Sequence, residues 1–280
     1  MSGQYLIMLR PAQWLKNLML LFPPFLSGQI LQPGTLERGL PLFVAFCLVS
    51  SAGYIFNDLL DRKRDIIHPK KRLRAISSGA VSVRSASLCA ALLLVSGLLL
   101  AGRFSPTVLM LLAGYSVNSL LYSLALKSMP LVDLFSISAG FLIRLQAGGE
   151  MFGVPISPWL FLTVFLLAVF LSTGKRLSES HSLGDDAGDH RASLASYPPG
   201  FLAGTMYMTG SAVLVTYAMY VILKPNLVFT VPLCLFGLLR YILRVSSGQS
   251  GDPTESLLKD WILFAVSLVW LLMVIWSIYR

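Results

Sequence analysis

The stretch PLFVAFCLVSSAGYIFNDLLDRKRDIIHPKKRLR, residues 41–74, starts as an apolar run and ends in the densest charge of the chain. Asn57, Asp58, Asp61 and Asp65 stand where the apolar run gives out, and nine basic residues follow between Arg62 and Arg84 if His68 is counted. Ionisable groups at the edge of a bilayer are expensive to hold and tend to be functional. A run of this kind reads as a membrane helix that carries chemistry at its mouth.

The rest of the 280-residue chain fits that reading. Charged residues make up 12% and hydrophobic residues 55%, with a mean hydropathy of +0.73; a soluble domain has roughly twice that charge. Apolar stretches near the ~20 residues needed to cross hydrocarbon recur throughout. The expected class is therefore all-α: a polytopic membrane protein with a bundle of nine transmembrane helices, forming one integral-membrane domain over residues 1–280. Read between Pro, Gly and charge clusters, the spans fall at roughly 13–31, 37–59, 85–102, 106–125, 130–149, 157–175, 200–222, 227–245 and 257–279. The first dozen residues form a short interfacial lead-in, and no cleavable leader is evident.

Lys and Arg set the orientation. With the N-terminus inside, most of the 22 basic residues fall on the cytoplasmic side, and Arg38, Arg103, Lys224 and Arg280 fall outside. The expectation is a bacterial-type inner (cytoplasmic) membrane, with active-site loops at about 60–84 and 176–199 facing the cytoplasm and the C-terminus outside. A pI near 9.6 then reflects loop bias, anionic lipid and an anionic substrate, and no nucleic acid. Cys47, Cys89 and Cys234 sit in apolar runs without metal or disulfide spacing, and His68, His181 and His190 give no zinc pattern.

On a helix continuing past residue 59, Asn57, Asp61 and Asp65 recur every four residues, with Asp58 three before Asp61. They share one broad face. Like charges so placed repel unless a cation or hydrogen bonds offset them. Hard oxygens suit Mg²⁺, which usually takes one or two carboxylates together with water and substrate phosphates. The cations just downstream, Lys70, Lys71, Arg72 and Arg74, suit phosphate. The plainer alternative is a solvated helix end in which Arg62, Lys63 and Arg64 pair locally with the aspartates.

The segment NDLLDRKRD at 57–65 resembles NDxxDxxxD, the first aspartate-rich motif of the UbiA superfamily of intramembrane prenyltransferases, whose fold is a nine-helix bundle. Over almost the whole chain, RPAQWLKN (10–17), HPKKRLRAISSG (68–79), DLFSISAGFLIRLQAGG (133–149), GKRLSES…SLASY (174–197) and GQSGDPTESLLKD (248–260) are similar to one branch. That branch is the decaprenyl-phosphate phosphoribosyltransferases. Two departures stand out: Ala75 replaces the family's usual Pro, and GDDAGDH brings Asp185, Asp186 and Asp189 into the second loop, as in ordinary prenyltransferases.

The resemblance implies transfer of 5-phosphoribose from phosphoribosyl pyrophosphate (PRPP) to a polyprenyl phosphate with Mg²⁺ as cofactor. Asn57, Asp58, Asp61 and Asp65 are the implied metal residues. Lys71, Arg72 and Arg74 would neutralise donor phosphates, and Lys175, Arg176 and Glu179 would line the opposite wall; Asp58, Asp61, Lys175 and Glu179 are the catalytic candidates. Lys16, beside Trp14 and Asn17, would hold the lipid phosphate or simply snorkel, Arg144 would face the substrate cavity or be structurally paired, and Tyr122 and Lys127 would lie at the pocket mouth. Expected partners are PRPP, or alternatively a prenyl diphosphate with an aromatic acceptor, polyprenyl phosphate, membrane lipid and a second copy of the chain. A transporter or lipid-binding scaffold is the rival of another class. No Walker A loop, dinucleotide fingerprint or soluble phosphoribosyltransferase loop is present.

Overall fold

The apolar run from Pro41 does continue as one helix to Ile67, and Lys71–Leu73 form a basic 3₁₀ turn. In the computed structural model, which describes residues 2–67, 71–183, 192–224 and 226–280, helix α3 runs unbroken from Thr35 to Ile67. Before it come α1 (Ser2–Leu9), a 3₁₀ helix (Pro11–Leu21) and α2 (Phe22–Leu26). After it come α4 (Val83–Ala101), α5 (Pro106–Leu124), α6 (Val132–Phe152), α7 (Pro158–Leu183), α8 (Ala192–Ala195), α9 (Phe201–Val221), α10 (Val231–Ser246), α11 (Pro253–Lys259) and α12 (Trp261–Tyr279). Among the described residues every regular element is helical.

Seven helices among the described residues are long and apolar enough to cross a bilayer, two fewer than the spans read from the sequence. The first expected span, 13–31, is not one α-helix. Pro23 and Pro24 cannot donate to a continuing α-ladder, and residues 11–21 wind as a 3₁₀ helix. The fifth, 130–149, is the continuous helix α6, which carries Asp133, Arg144 and Glu150. The ninth starts at Trp261 and not at 257, because Asp260 breaks the chain and caps the new helix, accepting from the amides of Ile262 and Leu263.

The chain divides into two compact units, Met1–Leu126 with Ile143–Pro155, and Lys127–Leu142 with Ile156–Arg280. In the first, α4 packs on α3 by an inverted pattern. Its buried face is small (Ala86, Gly97, Ala101), while Leu88, Leu92, Val95 and Leu99 are exposed. Helices in lipid gain little from hiding leucines and associate instead by close backbone approach. Gly97 does this against Ala45 and Val49 of α3.

The 3₁₀ helix is seated in the same way. Its period of three places Trp14, Asn17 and Leu20 on one side. Trp14 donates to Ser51 at 3.0 Å, Asn17 and Leu20 are fully buried, and a Cβ on Gly148 of α6 would overlap the Leu20 carbonyl. Because the obstacle is backbone and cannot swing aside, Gly148→Ala is expected to destabilise the folded protein by about 1–3 kcal/mol, seen as a lower thermal midpoint of the detergent-purified chain.

In the second unit α7 packs on α9 around Phe170, Met206 and Val213, with Tyr241 and Val245 from α10. Asp260 anchors the polar end. Although burial works against its charge, the Leu263 amide and the guanidiniums of Arg240 (2.9 Å) and Arg244 (3.1 Å) bring its pKa down to about 2. A carboxylate depressed by folding adds stability that is complete above its unfolded value near 4 and is lost as pH falls through about 2. Asp260→Asn should therefore lower stability at pH 7 and flatten the stability profile between about pH 4 and pH 2, as followed by thermal melts across that window.

Candidate active site

Asp58 and Asp65 lie two turns apart on one face of α3, and both are buried. Their partners are not the adjacent cations. Arg62, Lys63 and Arg64 are exposed. Instead, one terminal nitrogen of Arg74 donates to Asp65 at 2.6 Å and to Asp58 at 3.0 Å, and Arg10 donates to the same Asp58 oxygen at 2.5 Å. The basic turn is held in place by apolar residues around it: Ala75, Ile76 and Val81 are buried with Met8, Ile55 and Ala86, and Val81 donates to the Ala75 carbonyl. Arg74 is thus presented to the acids by a small hydrophobic cluster under α1.

Arg10 is the residue that spacing arguments missed. It lies 48 positions from Asp58, and only the packing of α1 against α3 brings the two together. Its backbone is left-handed (φ 54°, ψ 61°), a conformation a non-glycine residue rarely takes, and its guanidinium stands over the Tyr54 ring at 5.3 Å. A cavity of about 180 Å³ opens here, lined by Arg10, Asp58, Arg74 and the apolar side chains of Ile7, Met8 and Ile76.

The other predicted residues of this unit fall into two groups. Asn57 and Asp61 are half-buried on α3; Lys71 is half-buried and Arg72 exposed on the 3₁₀ turn Lys71–Leu73, and Lys16 and Tyr122 are half-buried. Arg144 is buried: its Nε donates to Asn17 Oδ1 at 2.7 Å and a terminal nitrogen donates to the Tyr115 hydroxyl at 2.9 Å, above whose ring it lies. Asn17 in turn donates to Cys47 and Ser50 of α3. The Trp14 and Asn17 of the QWLKN stretch thus fasten the 3₁₀ helix to α3, and Asn17 links Arg144 to that seam.

The second unit holds its own polar cluster. Arg176 is almost fully buried and donates to Asp133 at 2.8 Å and to Glu179 at 2.7 Å. Tyr197 donates to the other Asp133 oxygen and accepts from the Leu131 amide. Burial raises the Tyr197 pKa above its ordinary value. Lys175 donates to Asp252 at 3.0 Å, and Asp252 also caps α11. A Cβ on Gly251 would strike the Gly174 carbonyl, so Gly251 lies directly against α7 next to Lys175. Lys127 is half-buried on the 3₁₀ turn Leu126–Ser128. Lys70, Asp185, Asp186 and Asp189 lie outside the described residues, as do His68 and His190.

Among the described residues no three His, Cys, Asp or Glu side chains converge closely enough to form an all-protein cage. The donor set of Asn57, Asp58, Asp61 and Asp65 still fits Mg²⁺ by chemistry. It offers hard oxygens on successive turns of one helix, beside cations suited to phosphate. Mg²⁺ commonly brings water and substrate phosphates to complete its shell.

Residues 21–268 match the UbiA prenyltransferase family. The chain belongs to that family. It is 31% identical to the decaprenyl-phosphate phosphoribosyltransferase of Corynebacterium glutamicum, over 97% of this chain and 85% of that one. It is 31% identical to that of Mycobacterium tuberculosis, over 94% and 90%. Among solved structures, a UbiA homologue from Archaeoglobus fulgidus bound to GPP and Mg²⁺ superposes with a TM-score of 0.77 at 19% identity, covering 98% of both chains. This UbiA family member is accordingly a multi-pass membrane protein and an enzyme.

The buried acid–guanidinium cluster makes its members interdependent. Asp65→Asn and Arg74→Gln should each destabilise the protein, and the double variant should lose less than the two together. A double-mutant cycle is expected to give a coupling of about 1–3 kcal/mol; additive losses would mean that Arg74 does not hold Asp65 in the folded protein.

Proposed function

We propose that the protein transfers 5-phosphoribose from PRPP to a polyprenyl, decaprenyl-like phosphate, with Mg²⁺, releasing pyrophosphate in the making of lipid-linked pentose precursors of arabinofuranose type. The observation that carries this is the near-full-length similarity to decaprenyl-phosphate phosphoribosyltransferases. The acids and guanidiniums gathered at the mouth of α3 support it. In the reaction an oxygen of the lipid phosphate bonds to the anomeric carbon as the bond from that carbon to the diphosphate breaks. The electron pair leaves with pyrophosphate.

Charge grows on the leaving group, and fixed cations in a water-poor pocket stabilise it best. Asn57, Asp58, Asp61 and Asp65 would hold Mg²⁺, which when bound neutralises the departing diphosphate. Lys71, Arg72 and Arg74 would neutralise and orient the donor's phosphates. The lipid phosphate would be received by Lys16, and Tyr122, Lys127 and Arg144 would complete substrate binding. Lys175, Arg176 and Glu179 are proposed to serve from the second unit, where Asp252 and Asp133 fix the cations. The cluster at α3 would face the cytoplasm of a bacterial-type inner membrane, with the N-terminus inside, the C-terminus outside and nine crossings forming one catalytic domain, alone or as a homo-oligomer.

A prenyl diphosphate donor is the second reading, favoured by the GPP bound to the Archaeoglobus homologue. Both donors leave diphosphate from a cation-like carbon, so one scaffold suits either. Purified protein given Mg²⁺, labelled PRPP and decaprenyl phosphate should move label into the lipid phase, and Asp61→Ala should reduce that rate by at least 100-fold. Turnover of a prenyl diphosphate with an aromatic acceptor, and none of PRPP, would overturn the first reading in favour of the second.

A further inference from the structure

We propose that Arg240 and Arg244, at the end of α10, hold the phosphodiester of an anionic glycerophospholipid at the membrane surface of the second unit. This lipid is neither donor nor acceptor, and the site does not depend on which diphosphate the α3 mouth receives.

Three observations carry it. First, two guanidiniums share one carboxylate. Asp260 Oδ2 accepts from Arg240 Nε at 2.9 Å and from a terminal nitrogen of Arg244 at 3.1 Å, while Oδ1 accepts from the amides of Ile262 and Leu263. The carboxylate is saturated, and the trio keeps one positive charge. Second, the guanidiniums have donors to spare. Each carries five N–H groups, and among the described residues Arg240 hydrogen-bonds through Nε alone. Its two terminal nitrogens, the pair that can grip two oxygens at once, stay available. Arg244 is only 7% exposed, and its Nε is buried without an acceptor. Donors placed in this way are expensive unless an oxygen-rich ligand takes them.

Third, the place is the edge of a bilayer. Leu227–Ser246 and Trp261–Tyr279 are both long and apolar enough to cross a membrane. Only a short connection joins them, so the end of one and the start of the other lie at the same surface. Arg240 is partly exposed there, and its neighbours on α10, Phe236, Leu239 and Leu243, are exposed apolar side chains. Leu258 and Trp261 flank Asp260 and are exposed as well, and tryptophan favours the headgroup level. Basic pockets between membrane helices commonly receive anionic headgroups.

Charge selects among lipids. A phosphodiester has one negative charge and two free oxygens, which match the one surplus charge and the open fork of Arg240. A phosphate monoester would bring a second charge without a partner. The ammonium of phosphatidylethanolamine would meet carboxylates already committed, Asp260 to the two arginines and Glu255 to Lys259 and Ser250. Phosphatidylglycerol has neither defect.

The test uses the full-length wild-type protein in a maltoside detergent, which carries no phosphate, and reads phenylglyoxal modification by peptide mass spectrometry. Added phosphatidylglycerol should slow modification of Arg240 by about fivefold or more, and that of the exposed Arg62 and Arg64 by less than about twofold. Equal slowing at all three would mean a general surface potential and would overturn the site, as would an unchanged rate at Arg240. Equal protection by phosphatidylethanolamine, or protection by polyprenyl phosphate alone, would overturn the anionic phosphodiester as its ligand. In parallel, phosphatidylglycerol should raise the thermal midpoint of the wild type, because a ligand that binds only the folded state stabilises it. Arg240→Gln, which keeps a donor for Asp260, should lose most of that rise. An equal rise in both proteins would remove Arg240 from the site.

Discussion

The mouth of α3 depends on the compensation of two buried carboxylates. Asp58 and Asp65 lie on one helical face in surroundings that would not tolerate two bare negative charges. Arg74 spans them, and Arg10 adds a second guanidinium to Asp58. That requirement accounts for much of the first unit's architecture. The basic turn is anchored by Ile76 and Val81 so that Arg74 reaches its acids. The chain turns left-handed at Arg10 so that α1 and the 3₁₀ helix can both pack on α3 while the guanidinium faces inward.

The second unit solves a similar problem with different parts. Arg176 is more deeply buried than any other charged side chain of α7, and Asp133, Glu179 and Tyr197 surround it. Asp260 does the same for Arg240 and Arg244 while it starts the last helix. In each case a carboxylate from one element receives a guanidinium from another, so polar pairing fixes which helices are neighbours where apolar faces alone would not discriminate.

Much of this was legible in the sequence. The long apolar runs gave the helical class and several helix limits within a few residues, as for α4, α5 and α9, while α7 runs eight residues past its expected end. The four-residue spacing of Asn57, Asp61 and Asp65 gave the polar face of α3. Partners were not legible. Spacing finds groups on one helix, and Arg10–Asp58 and Asn17–Arg144 are 48 and 127 residues apart. Local pairing of the aspartates with Arg62, Lys63 and Arg64 was the natural alternative, yet those three cations are exposed and the buried Asp58 and Asp65 are taken by Arg10 and Arg74. Nor does hydropathy distinguish a 3₁₀ helix from an α-helix, so the first span was read as continuous although Pro23 and Pro24 forbid it.

The 3₁₀ winding of residues 11–21 has a metrical consequence. Such a helix rises about 2.0 Å per residue, against 1.5 Å for an α-helix, and repeats every three residues. From Pro11 to Asn17 such a helix advances about 12 Å, and that advance separates the turn at Arg10 from the Asn17 that holds Arg144. The segment works as a ruler. Adding or removing a single residue within it would turn Asn17 by about 120° and break the register between rim and interior, even if hydropathy and charge were unchanged.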